Sequence, residues 1–186
     1  MKILCFGDSN TYGYDPRSFI GSQYPPRHRW VDLLGRKLCC DAVNAGENGR
    51  AIPEGEGELM GFDMMLARHM PVDLLVVMLG TNDLLQGCSA KETAKRMEHF
   101  LQVIIPCCKR ILLVAPPPMQ RGEWVPTQTL IDASAALNLA YKDLSRRFGI
   151  RFADAGEWNI PMTFDGVHFT EEGHKAFAEG LYQTIM

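Results

Sequence analysis

Residues 1–15 read MKILCFGDSNTYGYD, an apolar run of Ile3, Leu4, Cys5 and Phe6 that stops abruptly at Gly7-Asp8-Ser9-Asn10. A short continuous apolar run bounded by turn formers has the pattern of a fully buried strand in a parallel sheet. The residues that follow then lie at the sheet's carboxyl edge, where open α/β sheets bind ligands. Ser9 stands where a nucleophile is useful, yet Asp, Ser and Asn after a strand are also ordinary caps for a following helix. This block alone does not choose between the two.

Outward from it, the pattern repeats. Strand-like runs recur at Ala42 to Asn44, Leu74 to Leu79, Ile111 to Ala115 and Ile150 to Ala153. Between them, apolar residues fall at helical spacing: Trp30, Leu33, Leu34 and Leu38; Leu59, Met60, Met64 and Ala67; Met97, Phe100, Leu101 and Ile104. From Thr127 to Phe148, Leu130, Leu137, Tyr141, Leu144 and Phe148 make one stripe with Gly149 in the stop position, and Thr170 can cap a last helix opened by Glu171 and Glu172. Such alternation predicts a three-layer α/β/α sandwich around a five-stranded parallel sheet, flavodoxin-like, as a single domain over residues 1–186. Loops from Tyr12 to Arg29, Pro116 to Pro126 and Ala155 to His168 follow strand ends on one edge of that sheet.

Composition narrows the partners. A net charge of −3 with scattered Lys and Arg argues against a nucleic-acid surface. The longest apolar run, Leu74 to Leu79, is far short of a membrane helix. The first strand begins almost at Met1 and leaves no room for a signal peptide, which points to the cytoplasm. Six cysteines (5, 39, 40, 88, 107 and 108) lack any C-x-x-C and read mostly as small buried hydrophobes in a reducing compartment.

The chemistry gathers at the strand exits. After the second strand comes Asn44-Ala45-Gly46-Glu47-Asn48-Gly49-Arg50; after the third, Gly80-Thr81-Asn82-Asp83; beyond the fifth, Asp165-Gly166-Val167-His168. A carboxylate three residues before an imidazole, with a glycine between to permit a tight turn, can reach Nδ1 of that histidine and hold its tautomer. The set is chemically complete: Ser9 as nucleophile, His168 as base, Asp165 as its orienter, with the N–H groups of Ser9 and Gly49 and the Asn82 amide as oxyanion donors.

GDS near the start, an N-x-G-x-x-G-like block, G-x-N-D in the middle and D-x-x-H near the end together resemble the GDSL/SGNH hydrolase family across positions 7 to 168. ILCFGDS, RW, MLGTND, APPP, DAG and DGVHFT are most similar to its small intracellular arylesterases and acyltransferases. The resemblance implies a serine esterase with the triad Ser9, Asp165 and His168, and an oxyanion hole completed by Asn82 and an amide of the second block. Spacing from Asn44 puts that amide on Gly49, with Gly46 the alternative. It also implies acyl transfer when an alcohol or hydrogen peroxide competes with water. Asn10 departs from the Leu of the family name, at a side chain expected to have no part in the mechanism.

Plainer roles are expected elsewhere. Asp8 caps the first helix; Asp83 bonds the backbone of the first block; Arg50 meets either a substrate carboxylate or a nearby Asp or Glu. His28, His69, His99 and His174 read as surface or capping residues, and no metal or other cofactor is expected. Tyr12, Tyr14, Tyr24 and Trp124 either wall the acyl pocket or sit in an interface between copies of the chain. The expected substrate is a small short-chain ester. An acetylated sugar, or a non-catalytic binding module retaining the fold, are the alternatives.

Overall fold

The computed structural model describes residues 1–18 and 22–186. The part of the expected Tyr12 to Arg29 loop at residues 19–21 lies outside the described residues. Five parallel strands, β1 (Lys2–Gly7), β2 (Asp41–Gly46), β3 (Leu74–Met78), β4 (Ile111–Ala115) and β5 (Arg151–Asp154), form one sheet in the order β2-β1-β3-β4-β5. β1 lies at the point where the strand order reverses, and its register pairs Gly7 with both Gly46 and Met78. The first three strand exits therefore leave the sheet at one level, which is the geometric reason their loops meet.

Alternate strand residues point to opposite faces, and each face has its own helices. Leu4, Phe6, Leu75, Val77 and Leu113 pack beneath α3 (Glu56–His69), α5 (Ala90–Ile104) and α6 (Gln128–Phe148). Ile3, Cys5, Val76, Leu112 and Val114 pack beneath α2 (Trp30–Leu38) and α7 (Glu171–Ile185). Two short helices, α1 (Ser9–Tyr12) and α4 (Thr81–Leu85), sit at the carboxyl edge. Gly149 ends α6 in the left-handed conformation, and the Thr170 hydroxyl caps α7 by accepting from Gly173 N.

Two expectations about packing fail. In α3 the buried residues are Phe62 and Leu66, while Met60 and Met64 are exposed and Ala67 faces solvent. The helix carries apolar residues on several sides, and the sheet takes the stripe that holds the aromatic ring, which has the most area to bury. Among the cysteines Cys5 alone is fully buried; Cys39 and Cys107 are exposed and the others intermediate, all six as free thiols. The vicinal cysteines lie near helix ends and strand starts, where Cys40 and Cys108 touch the rim of the core and Cys39 and Cys107 turn to solvent. Among the described residues no helix is long and apolar enough to cross a membrane.

Candidate active site

β1 delivers Ser9 to the edge through a capped turn. The Asp8 carboxylate accepts from Asn10 N at 3.0 Å, and the Asp8 carbonyl accepts from Thr11 N and Tyr12 N. Asp8 is thus the helix cap that the sequence predicts. Ser9 is the first residue of α1, so its N–H has no intrahelical partner. Burial drives the Asp8 carboxyl up to about 6, against the lowering effects of the Asn10 N–H, His168 and Arg50.

The last loop closes on itself around Asp165. One carboxylate oxygen accepts from the backbone N–H of Val167 at 2.8 Å and of His168 at 2.9 Å; the other lies 2.7 Å from His168 Nδ1. The intervening Gly166 has φ +81, and a Cβ there would stand 2.1 Å from the Gln120 carbonyl oxygen, so only glycine fits. Burial raises the Asp165 carboxyl, but the His168 ring N–H and the two backbone N–H groups outweigh it and hold the group at about 2. An ionised carboxylate only accepts, which puts the proton on Nδ1 and leaves Nε2 as an acceptor. That Nε2 lies 2.9 Å from Ser9 Oγ.

Neighbouring segments brace this loop. The Pro116 to Pro126 segment donates from Gln120 N to Gly166 O, from Glu123 N to Phe164 O and from Trp124 N to Asp165 O. From the other side, the Asn10 carboxamide donates through Nδ2 to Val167 O at 3.0 Å and accepts through Oδ1 from Phe169 N at 2.9 Å. The Asn10 side chain, expected to have no part in the mechanism, thus contacts the backbone on both sides of His168. An amide at a position of an apolar residue in the family name, next to the nucleophile, was the signal, because a buried amide must find partners.

The second and third exits supply further donors. Gly46 N donates to Asn44 Oδ1 at 2.9 Å, and a Cβ at Gly46 would collide with the backbone of Tyr12. Its amide is spent and its role is close packing. Gly49 has φ +75, open space around its Cα and no acceptor for its N–H among the described residues. Asn82 Nδ2 donates one proton to Arg50 O at 3.0 Å, which fixes the amide and leaves its second proton without an acceptor among the described residues. Arg50 pairs with Glu47 at 2.6 Å, donates to the Gly7 and Ala45 carbonyls and lies 4.3 Å over the Phe6 ring, so it staples the second block to the sheet. Asp83 is fully buried, but it accepts from Ile52 N and from Arg96 at 3.1 Å each. Its backbone partner lies just beyond the second block and not in the first, because α4 faces the loop leading into α3.

Of the aromatic residues, Tyr14 and Trp124 flank His168, with ring centroids 4.8 and 5.1 Å away. Tyr24 is buried against His174 and Arg17 instead. His174 is no surface residue: it is fully buried in α7, accepts from Trp30 N through Nδ1 and has no partner for Nε2 among the described residues. No group of three or more potential metal ligands occurs among the described residues. A recess of about 940 Å³ between Met70 and Arg151 lies at the opposite, amino edge of the sheet. A recess of about 660 Å³ lined by Phe6, Gly49, Arg50, Phe62 and Met65 adjoins the second exit.

Solved structures share the fold of this chain. A solved structure from Agrobacterium tumefaciens, provisionally described as an arylesterase, is 29% identical with a TM-score of 0.86 over 99% of this chain and 97% of its own. A carbohydrate acetylesterase from Sinorhizobium meliloti is 25% identical, TM-score 0.86, over the same shares, and the aryl esterase of M. smegmatis is 25% identical, TM-score 0.85, again over 99% and 97%. Among curated protein sequences none matches the chain significantly. Fold and likeness define a carboxylic ester hydrolase. The chain belongs to the GDSL-like lipase/acylhydrolase family, whose model matches residues 5–176.

Proposed function

We propose that the 186 residues form one catalytic domain that hydrolyses small short-chain esters through an acyl-enzyme on Ser9. The observation that carries this reading is the unbroken line Ser9 Oγ, His168 and Asp165, at 2.9 and 2.7 Å. In the first half, Ser9 Oγ attacks the ester carbonyl as His168 Nε2 takes its proton, and the developing imidazolium is held by ionised Asp165. Ser9 N–H, Gly49 N–H and the free Asn82 amide proton meet the oxyanion. Collapse breaks the ester C–O bond and returns the proton from Nε2 to the leaving alcohol. Water then repeats the sequence on the acyl-enzyme, releasing the acid and regenerating Ser9. An alcohol or hydrogen peroxide in place of water gives acyl transfer by the same steps.

The preference for short acyl groups is supported by the Tyr14 and Trp124 rings close beside His168. The likeness to the S. meliloti carbohydrate acetylesterase favours a second reading, an acetylated sugar as substrate. The exposed thiols of Cys39 and Cys107 support a reducing, cytoplasmic location.

The test is kcat/KM for p-nitrophenyl esters from acetate to palmitate and for acetylated xylosides, at several protein concentrations, with Ser9→Ala alongside. Wild type should peak at two to four carbons, and Ser9→Ala should lose at least about a thousandfold in kcat. A peak at eight carbons or more overturns the short-chain reading. Retention of a tenth of the turnover by Ser9→Ala, or failure of a fluorophosphonate to label the wild type, overturns the nucleophile and leaves a binding module.

A further inference from the structure

The residue that follows Ser9 spends its whole side chain on the backbone around His168. Asn10 is 5% exposed, and its carboxamide satisfies Val167 O and Phe169 N, the main-chain groups on either side of the base. Val167 and Phe169 are themselves 4% and 0% exposed, so neither backbone group has water as a ready substitute. Only a side chain with a donor and an acceptor on one short stem answers both. Leu has the volume and neither polar atom. Asp accepts from Phe169 N but sets a second acceptor against Val167 O.

The partners of Asn10 are 157 and 159 residues away in sequence, and Ser9 is its immediate neighbour. The peptide joining Ser9 to Asn10, the two hydrogen bonds of the Asn10 carboxamide and the Ser9–His168 contact therefore close one small ring. Trp30 fixes the far side of that ring: its Nε1–H donates to Asn10 O at 2.9 Å, while its backbone N–H donates to buried His174. The reach from Oγ to Nε2 is thus set by Asn10 as well as by the Asp165 turn.

We infer that Asn10 is a positioning residue for the base, acting through His168 by clamping Val167 and Phe169 to the segment that carries the nucleophile. This inference rests on the acyl-enzyme reading of Ser9 and His168. Proton transfer in that reading needs Nε2 held within hydrogen-bond reach of Oγ, and a displacement of about 1 Å costs on the order of a hundredfold in rate.

The experiment compares wild type, Asn10→Leu, Trp30→Phe and Ser9→Ala on p-nitrophenyl acetate, with active sites counted by fluorophosphonate labelling. Asn10→Leu should lose about 10- to 100-fold in kcat per labelled site, with KM changed less than about threefold and the labelling rate falling in parallel. A merely structural role would lower the number of sites and leave turnover per site unchanged. Turnover per site within twofold of wild type overturns the inference. Should Asn10→Leu not fold, Trp30→Phe decides: it keeps an aromatic, though smaller, side chain, removes the donor to Asn10 O, and should lose about three- to tenfold in kcat per site at unchanged KM, whereas full turnover overturns the clamp. Ser9→Ala separates the two readings. If it stays active the acyl-enzyme falls and the clamp with it; if it is inactive while Asn10→Leu and Trp30→Phe match wild type, only the clamp falls.

Discussion

The two faces of the sheet are built for different work. Under α3, α5 and α6 the core is a dry contact of rings and aliphatic chains, in which Phe6, Phe62 and Phe100 meet at centroid distances of 5.0 to 5.8 Å. Its buried phenol, Tyr141, is fully occupied in donating to Leu79 O. Under α2 and α7 the core includes a buried imidazole, which accepts from the Trp30 backbone N–H, and the Trp30 indole, whose N–H donates to Asn10 O and so leads to the loop of His168. One face holds the sheet against its helices and, at its rim, ties down the second and third strand exits through Arg50 and Asp83. The other registers the segment of Ser9 against the loop of His168.

The largest effect should separate the two roles. Phe100→Ala on α5 removes a fully buried ring from the dry face and should cost about 3–5 kcal/mol of stability while kcat per folded molecule stays within about twofold. Urea unfolding beside active-site titration measures both. A large fall in kcat per site would mean that the dry face also sets the site.

Titration sharpens the contrast next. Burial holds the His174 imidazole down at about 3, with the Arg29 charge adding to it. The unfolded chain takes up that proton below about 6.5, so the stability from His174 is complete above that pH and lost as pH falls towards 3. Asp8 slopes the other way. Its folded value of about 6 exceeds the unfolded value of about 3.9, so its stability is complete below about 4 and lost as pH rises through 6. Each slope is bounded at about 1.4 kcal/mol per pH unit, and between pH 4 and 6 they oppose. Asp8→Asn should therefore gain on wild type as pH rises across that window, and His174→Asn should gain as pH falls. Variant-minus-wild-type stabilities that are flat with pH would break the assignment of these groups.

The smallest effect tests the corrected face of α3. Met64 is exposed, so Met64→Gln should change stability by no more than about 0.5 kcal/mol, where a core methionine would cost several times that. Thermal unfolding reads the difference.

Much of this architecture is written locally. Runs such as LLVVML, short and closed by Gly80, read as buried strands by length and bounds, and D-x-x-H carries its own turn within four residues. β2 is legible only in part because it is an edge strand with half-buried residues throughout, and its pattern is diluted accordingly. In α3, Leu59, Met60, Phe62, Met64, Met65 and Leu66 offer more than one stripe, and periodicity cannot say which meets the sheet. His174 was readable: with Phe177, Ala178 and Leu181 it completes an i, i+3, i+4, i+7 stripe, so the helix that Thr170 caps turns it inward. Asp83 and Asn10 are harder, because their partners lie more than ten residues off and are fixed only when separate strand exits come together.

Trp124 offers a last consequence. Its indole is half exposed and stands edge-on to the His168 ring, whereas Trp30 and Trp158 are packed against Phe177 on the far side of α7's core. A molecule that enters beside the base must therefore meet the Trp124 ring and strip water from it. The intrinsic fluorescence of the unmodified protein thus contains an optical channel placed at the base itself, on which occupancy of the site registers as a blue shift of the solvent-exposed part of the emission.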